Sequence, residues 1–147
     1  MNRNVVAWLI LVSVVALHVL DEALTGFLPF YNQTVAELRE RWGFFPAPTF
    51  SFHVWLGGLL FAIFVGFAMT PLIRRGGRVV RVIVIFFGIL MVANALGHLL
   101  GSVYLGTRLP GMWSSPLLIG AAGWSVYRGL TGEWTPSTFR RPPRSDA

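Results

Sequence analysis

The run His18-Val19-Leu20-Asp21-Glu22 closes an otherwise apolar stretch. On a helix, residues three and four apart are neighbours, so the His18 imidazole meets Asp21 or Glu22. The two acids are adjacent and point about 100° apart, so only one faces the partner that His18 faces. A second set, Asn94-Ala95-Leu96-Gly97-His98, repeats the four-residue spacing, with Gly97 and Gly101 on the same stripe. Small residues at that spacing let another helix approach closely, so this stripe is expected to face the interior of a bundle. Imidazoles and carboxylates are the usual carriers of general acid–base chemistry. Two histidines and one carboxylate with an open position also suffice to hold zinc or a non-haem iron. His18, Glu22 and His98 are therefore candidate metal ligands as well as candidate catalytic groups, with Asp21 and Asn94 beside them and Asn94 behind the ligands.

These residues need elements long enough to carry them together. Four blocks reach the roughly 20 residues that cross a hydrocarbon core of about 30 Å. They span about 4–24, 50–73, 79–104 and 112–127, the last being short and glycine-rich. Counting about 1.5 Å per residue from the arginines that flank each block places His18 roughly 22 Å and Glu22 roughly 28 Å above Arg3. Asn94 and His98 come out roughly 20 and 25 Å above Arg81, and Ser114 and Ser115 roughly 20 Å above Arg128. His53, roughly 31 Å from Arg74, falls at the far interface. Three histidines and both acids thus share one layer in one half of the bilayer, while the opposite half reads almost wholly apolar. His53 is expected as an interface residue, and Ser114 and Ser115 as packing or backbone-bonding residues at the edge of the cluster.

Arginine placement orients the spans. Arg3, Arg74, Arg75, Arg78, Arg81, Arg128, Arg140, Arg141 and Arg144 fall on one side, and Arg39, Arg41 and Arg108 on the other. Nine against three predicts both termini on the cytoplasmic side of a bacterial-type cytoplasmic membrane, with the polar layer in the outer half. The first block has a charged residue ahead of it, as a signal peptide does. It lacks a good small-residue cleavage site, and His18, Asp21 and Glu22 stand where cleavage would fall, so it is read as a retained helix. In the first outer connection Thr34 and Glu37 have capping-box spacing. Val35, Leu38 and Trp42 follow on one face, which predicts a short helix starting there and lying on the membrane surface. The expected fold is all-α: an integral membrane four-helix bundle over residues 1–130 with that interfacial helix, then a disordered cytoplasmic tail, 131–147, rich in proline and arginine.

Composition narrows the function classes. The chain is 54% hydrophobic and 12% charged, with a formal charge of +6 and no cysteine. A nucleic-acid module would carry its basic residues on one face of a soluble fold. Here they cap apolar blocks, so no nucleic-acid partner is expected. The missing cysteines remove disulfides, thiolate zinc sites and a cysteine nucleophile.

Three short elements in order, His18-Val19-Leu20-Asp21-Glu22, Asn94 to His98, and Pro110-Gly111-Met112-Trp113-Ser114, resemble those of the HXXEE family of small membrane proteins of uncharacterised function. Asp21 stands where the family motif has its first glutamate, shortening the reach by a methylene and moving the weight onto Glu22. The resemblance supports the cluster as a unit and brings no established reaction. A looser likeness, at the level of fold alone, is to the emopamil-binding-protein and sigma-2-receptor-like group.

Two uses of the cluster stay open. One is acid–base or metal-assisted chemistry on a lipophilic substrate, such as a lipid, isoprenoid or quinone headgroup, with one divalent metal ion as the candidate cofactor. The other is non-catalytic binding of a lipid or small molecule, or membership of a membrane complex. Transporters show internal repeats or interrupted helices near the midplane, and neither is evident here. The bilayer itself is the one partner that the sequence predicts directly.

Overall fold

The structure, a computed structural model, describes residues 2–134. It consists of helices α1 (Arg3–Thr25), α2 (Phe27–Trp42), α3 (Phe52–Ala68), α4 (Thr70–Arg75), α5 (Arg78–Leu105) and α6 (Ser115–Thr131), with no strand among the described residues. Three stretches are long and apolar enough to cross a membrane: Arg3–Thr25, Phe52–Arg75 and Arg78–Leu105. The second comprises α3 and α4, which meet at Met69, with Pro71 in the first turn of α4. Proline fits there because the first amides of a helix have no intrahelical acceptor to lose.

α1 is the axis of the molecule. Half of its most apolar stretch is buried, against 6% for the α3–α4 span. Its Val5, Trp8 and Val12 pack with Ile73, Val84 and Trp134. Its Leu11 and Val14 pack with Ala95, Leu118, Ala121 and Ala122. α6 lies between α1 and α5 and packs extensively against both. Lipid supplies no hydrophobic drive between helices, so such contacts depend on close packing of small residues. The α5–α6 approach shows it: a Cβ on Gly88 would stand 2.7 Å from Val126 Cγ2 and 3.2 Å from the Ala122 carbonyl. The close approach expected at Gly97 is not there, because that position faces open space, and Gly101 faces Leu109 of the following loop rather than a helix.

α3 is placed differently. It has no buried residue, rests on α1 and barely touches α5. One polar contact ties it down: the Trp8 indole N–H donates to the Gly66 carbonyl at 2.8 Å.

Arg81 and Arg128 anchor one end of the bundle. Arg128 donates twice to Asn4 Oδ1, at 3.1 and 2.9 Å, and Arg81 donates to the carbonyls of Gly129 and Leu130 at the end of α6. Trp134 is held there too, its indole N–H on the Arg128 carbonyl and its own carbonyl on the Gly77 amide. Helix α6 and this anchor thus occupy the first four positions of the expected tail, and the rest of it, from residue 135, lies outside the described residues.

The connection after α1 departs from expectation. Gly26 adopts a left-handed conformation (φ 83°) that ends α1 and lets α2 begin at the next residue. Thr34 is therefore inside a helix rather than at its start. Its hydroxyl donates to the Phe30 carbonyl, and Glu37 accepts from Gln33, so the capping box does not form.

Candidate functional site

At the end opposite Arg81 and Arg128, α1 delivers His18, Asp21 and Glu22 from its last two turns. The helix stays regular to Thr25, whose hydroxyl donates to the Asp21 carbonyl at 2.6 Å, while the Gly26 amide caps the Glu22 carbonyl. α5 delivers Asn94 and His98 from one face. The turn before α6 delivers Gly111 and Ser114. His18, Glu22 and His98 are almost fully buried, at 2%, 6% and 6% exposure.

The two neighbouring acids diverge, as adjacent helix positions must. Glu22 turns toward the histidines: its Oε1 lies 3.1 Å from His98 Nε2 and 3.5 Å from His18 Nε2. Asp21 turns toward α6, where its Oδ2 accepts from the Ser114 hydroxyl at 2.7 Å and from the Ser114 amide at 2.9 Å. Ser114 Oγ also lies 2.8 Å from His18 Nδ1. A hydroxyl has one proton to give, and here the carboxylate takes it. Ser114 Oγ must then accept from His18 Nδ1–H, and in the neutral ring the lone pair is on Nε2. The Asn94 amide, 2.9 Å from that nitrogen, meets it as a donor. The order Asp21–Ser114–His18 is not that of a serine hydrolase, in which the histidine stands between acid and serine and takes the serine's proton. Ser114 is a bridge here, not a nucleophile.

The remaining edge brings Glu22 Oε1 against two Nε2 atoms. All three ligand atoms lie within 4.8 Å of one another. Ligands at about 2.0–2.1 Å around a tetrahedral zinc stand about 3.3 Å apart, and the two edges at Glu22, 3.1 and 3.5 Å, fall on either side of that value. Histidine ligands commonly pass their second ring proton to a carboxylate or another acceptor, which fixes the tautomer. The link from His18 Nδ1 through Ser114 to Asp21 does this. The donor set therefore fits a divalent ion in separation, and an ion on His18 Nε2 would displace the Asn94 amide from the one lone pair there.

The site is closed by what surrounds it. The Phe27 ring of α2 lies 5.5 Å from the His98 ring, and the two imidazoles meet edge-on at 5.0 Å. Gly111 (φ 83°) passes so close that a Cβ there would stand 2.9 Å from His98 Cε1 and 3.1 Å from Glu22 Cγ. Its amide donates to the Thr25 hydroxyl at 3.2 Å. A lateral groove of about 330 Å³, lined by Leu17, Leu20, Asp21, Leu24, Trp113 and Ser114, reaches the Asp21–Ser114 side.

Of the residues singled out in the sequence, His18, Asp21, Glu22, Asn94 and His98 all come together. His53 does not: it is exposed at the start of α3, edge-on to Phe52. Ser115 bonds the Gly111 carbonyl, as a backbone-bonding serine would. Ser114 belongs to the centre rather than the edge, because it joins the two halves of the HxxDE run. Gly111 and Thr25 carry no signal in their residue type, but Gly111 and Ser114 both fall within the Pro-Gly-x-x-Ser element.

A family model described as "Protein of unknown function with HXXEE motif" matches residues 8–125. The chain belongs to the HXXEE family. The matched span holds His18, Asp21, Glu22, Asn94, His98, Gly111 and Ser114, so the whole cluster of this HXXEE protein lies within it. No curated protein and no solved structure matches the chain. The buried His–Glu–His group is thus described by its own geometry, with the family giving it a boundary and no reaction.

Proposed function

We propose that this HXXEE protein is a four-span membrane protein that holds one divalent metal ion at His18, Glu22 and His98. The site serves acid–base or metal-assisted chemistry on a lipophilic substrate. The observation that carries the reading is the buried triangle of ligand atoms, with His18 Nδ1 linked through Ser114 to Asp21. Histidines and acids within a membrane span are costly unless they pair or serve a site. A divalent ion bound there supplies Lewis-acid character. His18 and His98 would hold it, Glu22 would balance its charge, and the Asn94 amide would give up His18 Nε2 to it.

The fourth span is α6. Its 17 residues make about 26 Å of helix, at the short end of what crosses a bilayer, and the turn at 110–114 lengthens it. The arginine-rich end is cytoplasmic by the nine-to-three bias, which sets the cluster in the outer half. α2 lies at the outer surface as an amphipathic helix. The near-complete burial of all three ligands favours a second reading, a closed site that binds a lipid or small molecule without turning it over.

Elemental analysis of the protein purified without chelator is the test. About one zinc or iron per chain is expected, and none in Glu22→Gln. Substoichiometric metal in the parent, or metal content that Glu22→Gln leaves unchanged, sinks the metal site. With metal present, turnover of an identified lipid that fails in His18→Ala and His98→Ala separates catalysis from binding.

A further inference from the structure

On α1, Trp8, Val12, Val15 and Val19 recur at intervals of four, three and four residues, and three residues further stands Glu22. Such intervals keep residues on one face of a helix. On α5, Ile83, Phe87 and Met91 make the matching stripe, and its next members are Asn94 and His98. The apolar part of each stripe thus leads along its helix into the polar cluster.

Between the stripes lies a cleft. A chamber of about 520 Å³ is lined by residues that include Trp8, Phe61, Val65, Ile83 and Phe86. A narrower one of about 110 Å³ is lined by residues that include Val12, Val15, Val19, Leu59 and Met91. Ala62, Gly66 and Phe87 border both, so the two adjoin. The cleft exists because α3 is tied to α1 through Trp8 and stands off α5. No charged side chain lines either chamber, and the one indole N–H there is already bonded to Gly66.

Dimensions restrict the occupant. Trp8 to Val19 is about 16 Å of helix, close to half of a hydrocarbon core of about 30 Å, which is the length of one leaflet's chain. The narrow chamber, about 110 Å³ against about 520 Å³ for the wide one, sets the constriction, which suits one hydrocarbon chain better than two side by side. We propose that the cleft between α3 and α5 binds an amphiphile with a single hydrocarbon chain, the chain along the α1 and α5 stripes and the polar head toward the end where Glu22, Asn94 and His98 lie. The placement of the head rests on the reading of that cluster as a functional site; the chain site rests on the cleft alone. A fatty acyl chain and a linear isoprenoid share this chemistry.

The experiment is photolabelling of the purified full-length protein in lipid nanodiscs with a diazirine-bearing palmitic acid, with unlabelled palmitate and farnesol as competitors. Labelling is expected on peptides holding Ile83, Phe87 and Met91, removed by palmitate, by farnesol or by both, and the effective competitor identifies the source of the chain. Ala62→Phe, which fills the junction of the two chambers, is expected to lower labelling at least about tenfold while metal per chain stays at the parent's value. Labelling spread evenly over the lipid-facing sides of α5 and α6 and resistant to both competitors overturns the proposal. So does efficient disulfide dimerisation of Ala62→Cys, which would put a second copy's helix in the cleft. A parent protein without metal whose competed labelling persists refutes the metal reading and leaves the cleft standing; metal without competed labelling does the reverse.

Discussion

Replacing Gly111 with alanine tests the placement of the turn against the cluster. Two costs are readable from the structure. Gly111 has φ 83°, a left-handed conformation that costs an L-residue about 1–2 kcal/mol. The new Cβ would also stand 2.9 and 3.0 Å from His98 Cε1 and Nδ1 and 3.1 Å from Glu22 Cγ. These neighbours are held by their own bonds, so the methyl overpacks the site at about 1–3 kcal/mol. Together the substitution should destabilise the fold by about 2–5 kcal/mol, and it should weaken zinc binding because the displaced atoms belong to two of the three ligands. Gly97→Ala is the control. That glycine is within α5 and faces open space, so alanine there should stabilise by about 0.5–1 kcal/mol. Unfolding of both variants by denaturing detergent, with zinc affinity measured alongside, gives the comparison. If Gly111→Ala unfolds within about 0.5 kcal/mol of the parent, the range of an ordinary surface substitution, the turn does not lie on the cluster and the closed site described above is wrong.

The two acids of the motif should separate in a competition assay with a chromophoric zinc chelator. Asp21→Asn and Ser114→Ala act through the His18 ring and should weaken zinc about 10–100-fold, whereas Glu22→Gln should abolish it; equal losses in all three would show that the roles have been divided wrongly. Trp8→Phe keeps the ring's bulk and loses the bond to Gly66. It should cost about 1 kcal/mol and raise the reactivity of cysteines placed on the α1-facing side of α3; unchanged reactivity would mean that other contacts hold α3.

The sequence discloses most of what is periodic. Residues four apart on a helix meet whatever the tertiary fold, so His18 with Glu22 and the common face of Asn94 and His98 could be read directly. Counting from the arginines then brought both sets to one depth. Depth gives no azimuth, however. Nothing in the spacing says that α6 turns Ser114 toward Asp21 rather than toward lipid, and a serine carries too weak a preference to decide it. The same limit explains the small-residue stripe. Gly88 and Gly97 look alike as residue types, and only the position of α6 determines that the first is a contact and the second faces open space. Thr34 and Glu37 carry a real start signal, but a single left-handed residue, Gly26, restarts the helix seven residues earlier and overrides it.

α1 and α5 supply every candidate ligand atom, yet they touch each other far less than each touches α6. The molecule is built like a pair of pages on one spine, and the His18–Glu22–His98 cluster is the clasp at their free edges. Whatever occupies the clasp bonds to both pages at once, and reciprocity applies: the free energy by which an occupant strengthens the contact between them equals the free energy by which that contact tightens the occupant. α1 is also the floor of the cleft beside α3, so one helix carries both the clasp and the cleft.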